Sequence, residues 1–136
     1  MIDITEKGAA LRAASEGRFN ELPVHNPDVE CCSRERIRAI QLEKLIAQVE
    51  WTYERVAWYR DQMDEMGVKP SDIKCLEDVR KLPFTDKHAL RKTFPYGMFA
   101  VPLEEVVELH SSSGTTGKPI VVGYNRHDMD VWNDCI

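Results

Sequence analysis

No stretch of this sequence approaches the ~18 consecutive apolar residues that a membrane-spanning helix needs. Met1-Ile2-Asp3-Ile4-Thr5-Glu6 also lacks the cationic flank and apolar run of a secretory leader. No membrane partner is expected, and the chain is read as cytoplasmic. A disulfide framework is missing too. Cys31, Cys32, Cys75 and Cys135 form no C-x-x-C pair, and two adjacent cysteines are badly placed to ligate one metal or staple a small fold. Free thiols in a reducing compartment are expected, and no metal site. Nor is there a basic patch: 18 Lys and Arg against 23 Asp and Glu leave a formal charge of -5, and the densest basic run, Arg34 to Arg38, is interrupted by Glu35. An acidic surface repels a phosphate backbone, so no nucleic-acid partner is expected. There is no internal repeat, and no low-complexity stretch beyond one Ser/Gly/Thr-rich loop.

The 136 residues, 43% hydrophobic and 30% charged, have the composition of about one globular domain. Residues 1–32 show no clean period and carry the turn formers Gly17, Pro23, Asn26 and Pro27; they read as an irregular segment with one short helix around Ala9 to Ser15. Residues 33–100 read as a helical region. In it Ile37, Ile40, Leu45, Val49, Tyr53, Val56, Tyr59, Met63 and Met66 recur at spacings near three and four, predicting an amphipathic helix that Ser33 caps and Gly67 ends. Such a helix would be roughly 50 Å long, too long to lie buried in so small a domain, and is expected to bend. Its aromatic stripe, Trp51, Tyr53, Trp58 and Tyr59, has the spacing of packing rather than of a ligand platform. Leu76 to Lys81 forms a short helical stretch that Pro83 ends, and Thr85 reads as the cap of a helix from Asp86 to about Thr93. Residues 101–136 begin a nucleotide-binding α/β region: Val106 to His110 and Ile120 to Tyr124 have strand composition, and Asn125 caps a helix still running at Ile136.

Between the two strands lies Ser111-Ser112-Ser113-Gly114-Thr115-Thr116-Gly117-Lys118-Pro119. Glycines let a backbone approach phosphate oxygens without a Cβ in the way, hydroxyls donate to anionic oxygens, and the lysine adds a positive charge. The loop is not a Walker A motif. That motif needs glycine where Ser112 stands and Ser or Thr where Pro119 stands, and it opens a helix rather than a strand. A strand, loop, strand arrangement makes a flap that can close over a nucleotide tail and reopen. The alternative, a flexible linker or plain hairpin loop, does not account for the β-formers on both sides or for Lys118.

At these residues the chain resembles the adenylate-forming superfamily of acyl-CoA synthetases, and within it the phenylacetate-CoA ligases. Ser112 through Pro119 match the signature [ST]-S-G-[ST]-T-G-x-P at every specified place. Lys118 precedes the proline, as in the phenylacetate branch, while Ile120 stands where many other members carry lysine. Glu54-Arg55-Val56-Ala57-Trp58-Tyr59-Arg60, Leu82-Pro83-Phe84-Thr85-Asp86-Lys87 and Val121-Val122-Gly123-Tyr124 also look like this branch, so the likeness runs from about residue 34 to 136.

The resemblance implies an α/β fold, α+β within these residues: helices followed by a strand, phosphate-loop, strand flap, at the start of a large amino-terminal domain whose remainder lies downstream. It implies an AMP-forming ligase that binds ATP with Mg²⁺, joins phenylacetate or a related aryl acid to AMP, and transfers the acyl group to coenzyme A. Ser112, Ser113, Gly114, Thr115, Thr116, Gly117 and Lys118 would hold the nucleotide phosphates, and no catalytic or metal residue is assigned. The 136 residues alone are expected to be inactive. The implied partners are the aryl carboxylate and the rest of the ligase chain, with a homodimer left open. His110, beside the loop, reads as a strand-end histidine, because a carboxylate already ionised at neutral pH needs no general base. An adenylation enzyme that loads a carrier protein shares the loop. The reading from another class is a short non-catalytic module that self-associates or binds a partner through its helix and keeps the loop as a relic.

Overall fold

A computed structural model describes residues 24–113 and 117–135 of the chain. The short helix expected around Ala9 to Ser15 lies outside them. The chain divides into two units, residues 1–45 and 46–136. The order of elements is α1 (Pro27–Glu30), α2 (Arg34–Arg55), α3 (Ala57–Glu65), 3₁₀ turns at Pro70–Asp72 and Leu76–Lys81, α4 (Lys87–Lys92), a 3₁₀ turn at Leu103–Glu105, β1 (Val106–Ser111), β2 (Val121–Asn125) and α5 (Arg126–Cys135). The fold is therefore mixed, helices plus one two-stranded antiparallel sheet.

Ser33 caps α2 as expected, its Oγ accepting the Arg36 amide at 3.2 Å. The long helix then breaks at Val56, which is extended (φ -111°, ψ 104°). Neither proline nor glycine marks the place. The Thr52 hydroxyl donates back to the Gln48 carbonyl at 2.9 Å, a contact that bends helices, and the Arg60 guanidinium serves the terminal Glu54 carbonyl at 3.3 Å. α3 ends in a paired-bond turn: the Gly67 amide donates to the Asp64 carbonyl at 3.1 Å and the Val68 amide to the Met63 carbonyl at 2.8 Å, with Gly67 at φ +68°. Val49, Val56 and Met63, seven residues apart, are buried together with Ile73, and they make up the core of the second unit among the described residues.

The aromatic stripe disperses into packing and hydrogen bonds. The Arg55 guanidinium lies 3.8 Å over the Trp51 ring, and Trp58 meets Tyr59 edge to face at 5.0 Å. The Tyr53 hydroxyl donates to Asp64 at 2.7 Å, and Lys69 closes that pair into a triad. The Tyr59 hydroxyl meets the Thr85 hydroxyl at 2.7 Å. Thr85 is thus engaged with α3, and the cap of α4 is its neighbour Asp86, which accepts the Ala89 amide at 2.8 Å. The Asp86 carboxylate reaches the amide of the third helical residue, in the first turn, while Thr85 is held elsewhere.

At the Leu76–Lys81 turn, Asp78 accepts the amides of Lys74 at 2.8 Å and Cys75 at 3.0 Å and pairs with the Lys81 ammonium at 2.9 Å. These donors, the Lys74 amide foremost, hold its carboxyl well below the usual carboxylate range. A depressed folded-state pKa gives stability that is complete above about pH 4 and is lost as pH falls towards the folded value. An Asp78→Asn variant is expected to lose less of its thermal stability than the unaltered protein between about pH 4 and pH 2, read from melting temperature against pH.

Candidate phosphate-loop site

β1 and β2 pair antiparallel, Glu108 with Tyr124, Leu109 with Gly123, His110 with Val122 and Ser111 with Val121, and a bulge between Val106 and Glu108 sets this register. The ladder extends one step past the strands. The Ser112 amide donates to the Ile120 carbonyl at 3.0 Å, and the Ser112 Oγ accepts the Ile120 amide at 2.9 Å. Ile120, expected in the second strand, instead stands just before it as half of this clasp. One Ser112 lone pair is committed to holding the loop's base, while its hydroxyl proton stays available to a ligand oxygen.

β2 approaches the 94–101 segment closely at Gly123. A Cβ there would lie 2.6 Å from the Phe99 ring, so only glycine lets strand and ring meet at this spacing.

Ser113, Gly117 and Lys118 are exposed in the loop that joins the two strands. Gly117 has φ +132°, a conformation L side chains avoid. The Lys118 ammonium rests 5.6 Å over the Phe94 ring. That contact holds the charge on the protein without neutralising it, since an aromatic face attracts a cation but offers no counter-charge. Phe94 carried no signal in the sequence, because only the fold places it beneath the loop. Ser112 is thus held at the loop's base and Lys118 over Phe94, with Ser113 and Gly117 exposed; Gly114, Thr115 and Thr116 lie outside the described residues.

Beside the loop's root, the His110 Nε2 lies 2.5 Å from Glu108 Oε1. A carboxylate can only accept, so Nε2 carries the proton. The His110 ring also meets Tyr124 at 5.1 Å and Trp132 at 5.8 Å, both edge to face. The expectation of a strand-end histidine holds in position, but the ring has neighbours that the sequence did not reveal.

The donor set of Ser112, Ser113 and Lys118 fits a polyphosphate anion. It does not fit a metal. Among the described residues no group of three or more His, Cys, Asp or Glu side chains is placed to hold a cation, and no described helix is long and apolar enough to cross a membrane.

No family model matches the chain. The fold aligns with the crystal structure of 2-hydroxyisobutyryl-CoA ligase in complex with 2-HIB-AMP and CoA, with a TM-score of 0.65 and 31% identity over 70% of this chain and 21% of that one. The described fold is that of a portion of an acyl-CoA ligase. More particularly, the chain is related to the phenylacetate-CoA ligases. It is 48% identical over 113 residues to the phenylacetate-coenzyme A ligase of Thermus thermophilus, covering 83% of this chain and 25% of the relative. It is 50% identical over 108 residues to that of Pseudomonas putida, covering 79% and 25%. The chain spans about a quarter of the length of the curated relatives it matches.

Proposed function

We propose that this chain is the amino-terminal, phosphate-gripping portion of an AMP-forming ligase that joins phenylacetate or a related aryl acid to coenzyme A. The observation that carries the reading is the clasp between Ser112 and Ile120 at the base of a hairpin loop in which Ser112, Ser113, Gly117 and Lys118 are all exposed. The names of its relatives favour the same class. In this reading the acid's carboxylate oxygen bonds to the α-phosphorus of ATP as the bond to pyrophosphate breaks. The coenzyme A thiol then takes the acyl group and AMP leaves. ATP brings Mg²⁺ when it binds, and among the described residues no cluster of acidic or histidine side chains is placed to hold that ion.

This chain's residues act on the leaving group. Negative charge grows on the β-phosphate oxygens as pyrophosphate departs, and preorganised donors aimed there lower the barrier. The hydroxyls of Ser112, Ser113, Thr115 and Thr116 donate to those oxygens, and Lys118 exchanges the Phe94 face for an anion it can neutralise. Gly114 and Gly117 keep Cβ atoms out of the approach. The protein would work in the cytoplasm, where ATP and coenzyme A are at hand.

The test is carboxylate-dependent ATP–pyrophosphate exchange by the protein at its native length, with phenylacetate, acetate and no acid compared. Exchange that requires phenylacetate is expected. Exchange with acetate alone would refute the aryl preference, and none with any acid would leave the helical association module as the better account.

A further inference from the structure

His110, Tyr124 and Trp132 come from three elements, β1, β2 and α5, and each ring touches the other two. The centroid separations are 5.1 Å for His110 with Tyr124, 5.8 Å for His110 with Trp132 and 5.2 Å for Tyr124 with Trp132, at interplanar angles of 69°, 70° and 68°. Such edge-to-face contacts set ring positive edges against negative faces and are directional, unlike general apolar packing. Glu108 adds a directional contact of its own by accepting the His110 Nε2 proton. The cluster does not lie in the core: His110 is 46% exposed by side chain and Trp132 38% exposed.

Its place in the chain is what gives it a role. His110 is followed directly by Ser111 and Ser112, where the loop begins. Tyr124 is followed by Asn125, which ends β2 and caps α5 by a reciprocal pair: the Asp128 amide donates to Asn125 Oδ1 and the Asn125 amide to Asp128 Oδ2, both at 2.9 Å. A two-stranded hairpin alone holds its loop weakly. Here a helix is joined to one strand by a cap and bound to both strands by rings, and α5 packs on β2.

We propose that His110, Tyr124 and Trp132 form a positioning unit that aims the phosphate loop, so that the rings set how tightly nucleotide phosphate is held without touching it. This rests on the ligase reading above. Trp132 is the member of choice for a test, being farthest along the chain from the loop and outside the phosphate-binding set. If the cluster merely supported folding, its loss would lower the amount of active protein and leave both Michaelis constants unchanged. If it aims the loop, its loss is read in the KM for ATP alone.

The experiment is carboxylate-dependent ATP–pyrophosphate exchange by the protein at its native length, with ATP and acid varied separately, for Trp132→Ala and Trp132→Phe. Trp132→Ala is expected to raise the KM for ATP about fivefold, with the KM for the acid within about twofold of the unaltered protein, and Trp132→Phe to restore most of the difference because it keeps a ring edge in place. Should Trp132→Ala not fold, His110→Phe removes the Glu108 contact while keeping a ring, and about a twofold rise in the KM for ATP is expected. An unchanged KM for ATP, an equal rise for both substrates, or a fall in kcat alone would overturn the proposal while leaving the ligase reading intact. Absence of exchange in the unaltered protein would overturn both.

Discussion

Replacing Lys118 with alanine in the protein at its native length is expected to slow adenylation about 10²-fold, with little change in the KM for the carboxylic acid. The size follows from the arrangement. Lys118 is the only cation in the loop between Ser111 and Pro119, and its contact in the free protein is the Phe94 face at 5.6 Å. An ammonium held there keeps its charge for an incoming anion. Its attraction grows as the leaving pyrophosphate gathers charge, so the loss falls on the transition state more than on ground-state binding. In the proposed function Lys118 meets the nucleotide phosphates and not the acid, which is why the KM for the acid should hold. Carboxylate-dependent ATP–pyrophosphate exchange for the variant and the unaltered protein, at saturating acid, measures the effect. Adenylation at the unaltered rate would show that Lys118 plays no part in the step.

Met63→Ala is expected to have the largest effect on stability, about 2–4 kcal/mol, while Met63→Leu costs less than about 1.5 kcal/mol. Met63 is 1% exposed, Val56 2%, Ile73 3% and Val49 4%, so few side chains share the interior and a cavity at one of them is hard to refill. The residue also supplies the carbonyl that accepts the Val68 amide at the end of α3, so collapse around a smaller side chain would disturb that turn. Urea unfolding of the two variants tests this, read as the shift in midpoint at unchanged slope. Equal loss for Ala and Leu would place the cause in the backbone turn rather than in buried volume.

Local chemistry was legible in the sequence and geometry that depends on register was not. Ser33 and Asn125 read as caps because a hydroxyl or amide oxygen at those places has amides within reach whatever the tertiary structure. The loop between the strands stood out because glycines, hydroxyls and a lysine together have few other uses. The break at Val56 left no such mark: the helical period runs through it, and the cause is a back-bonded Thr52 and a guanidinium five residues downstream of Arg55 in the chain. Thr85 and Asp86 are both good caps by composition, and only the Tyr59 hydroxyl, 26 positions away, decides between them. The His110, Tyr124 and Trp132 cluster depends on a bulge that sets which residues face each other across the hairpin, and no pattern in the sequence places that bulge. Lys118 was read for its charge; the ring beneath it comes from a segment more than twenty residues earlier and was invisible until the fold brought it there.

The seven-residue interval that joins Val49, Val56 and Met63 constrains the chain's length as strictly as its chemistry. Adding one residue within α3 before Met63 would turn the rest of that helix by about 100° and carry Met63 from the interior to the water, trading a buried thioether for the neighbour that takes its place. After an insertion that neighbour is Gln62, and after a deletion it is Asp64. Substitutions at Glu50, Glu54 or Asp61, which face solvent, leave that count intact. This stretch therefore tolerates changes of residue far better than changes in the number of residues, and a single inserted or deleted codon there would do more harm than several exposed replacements together.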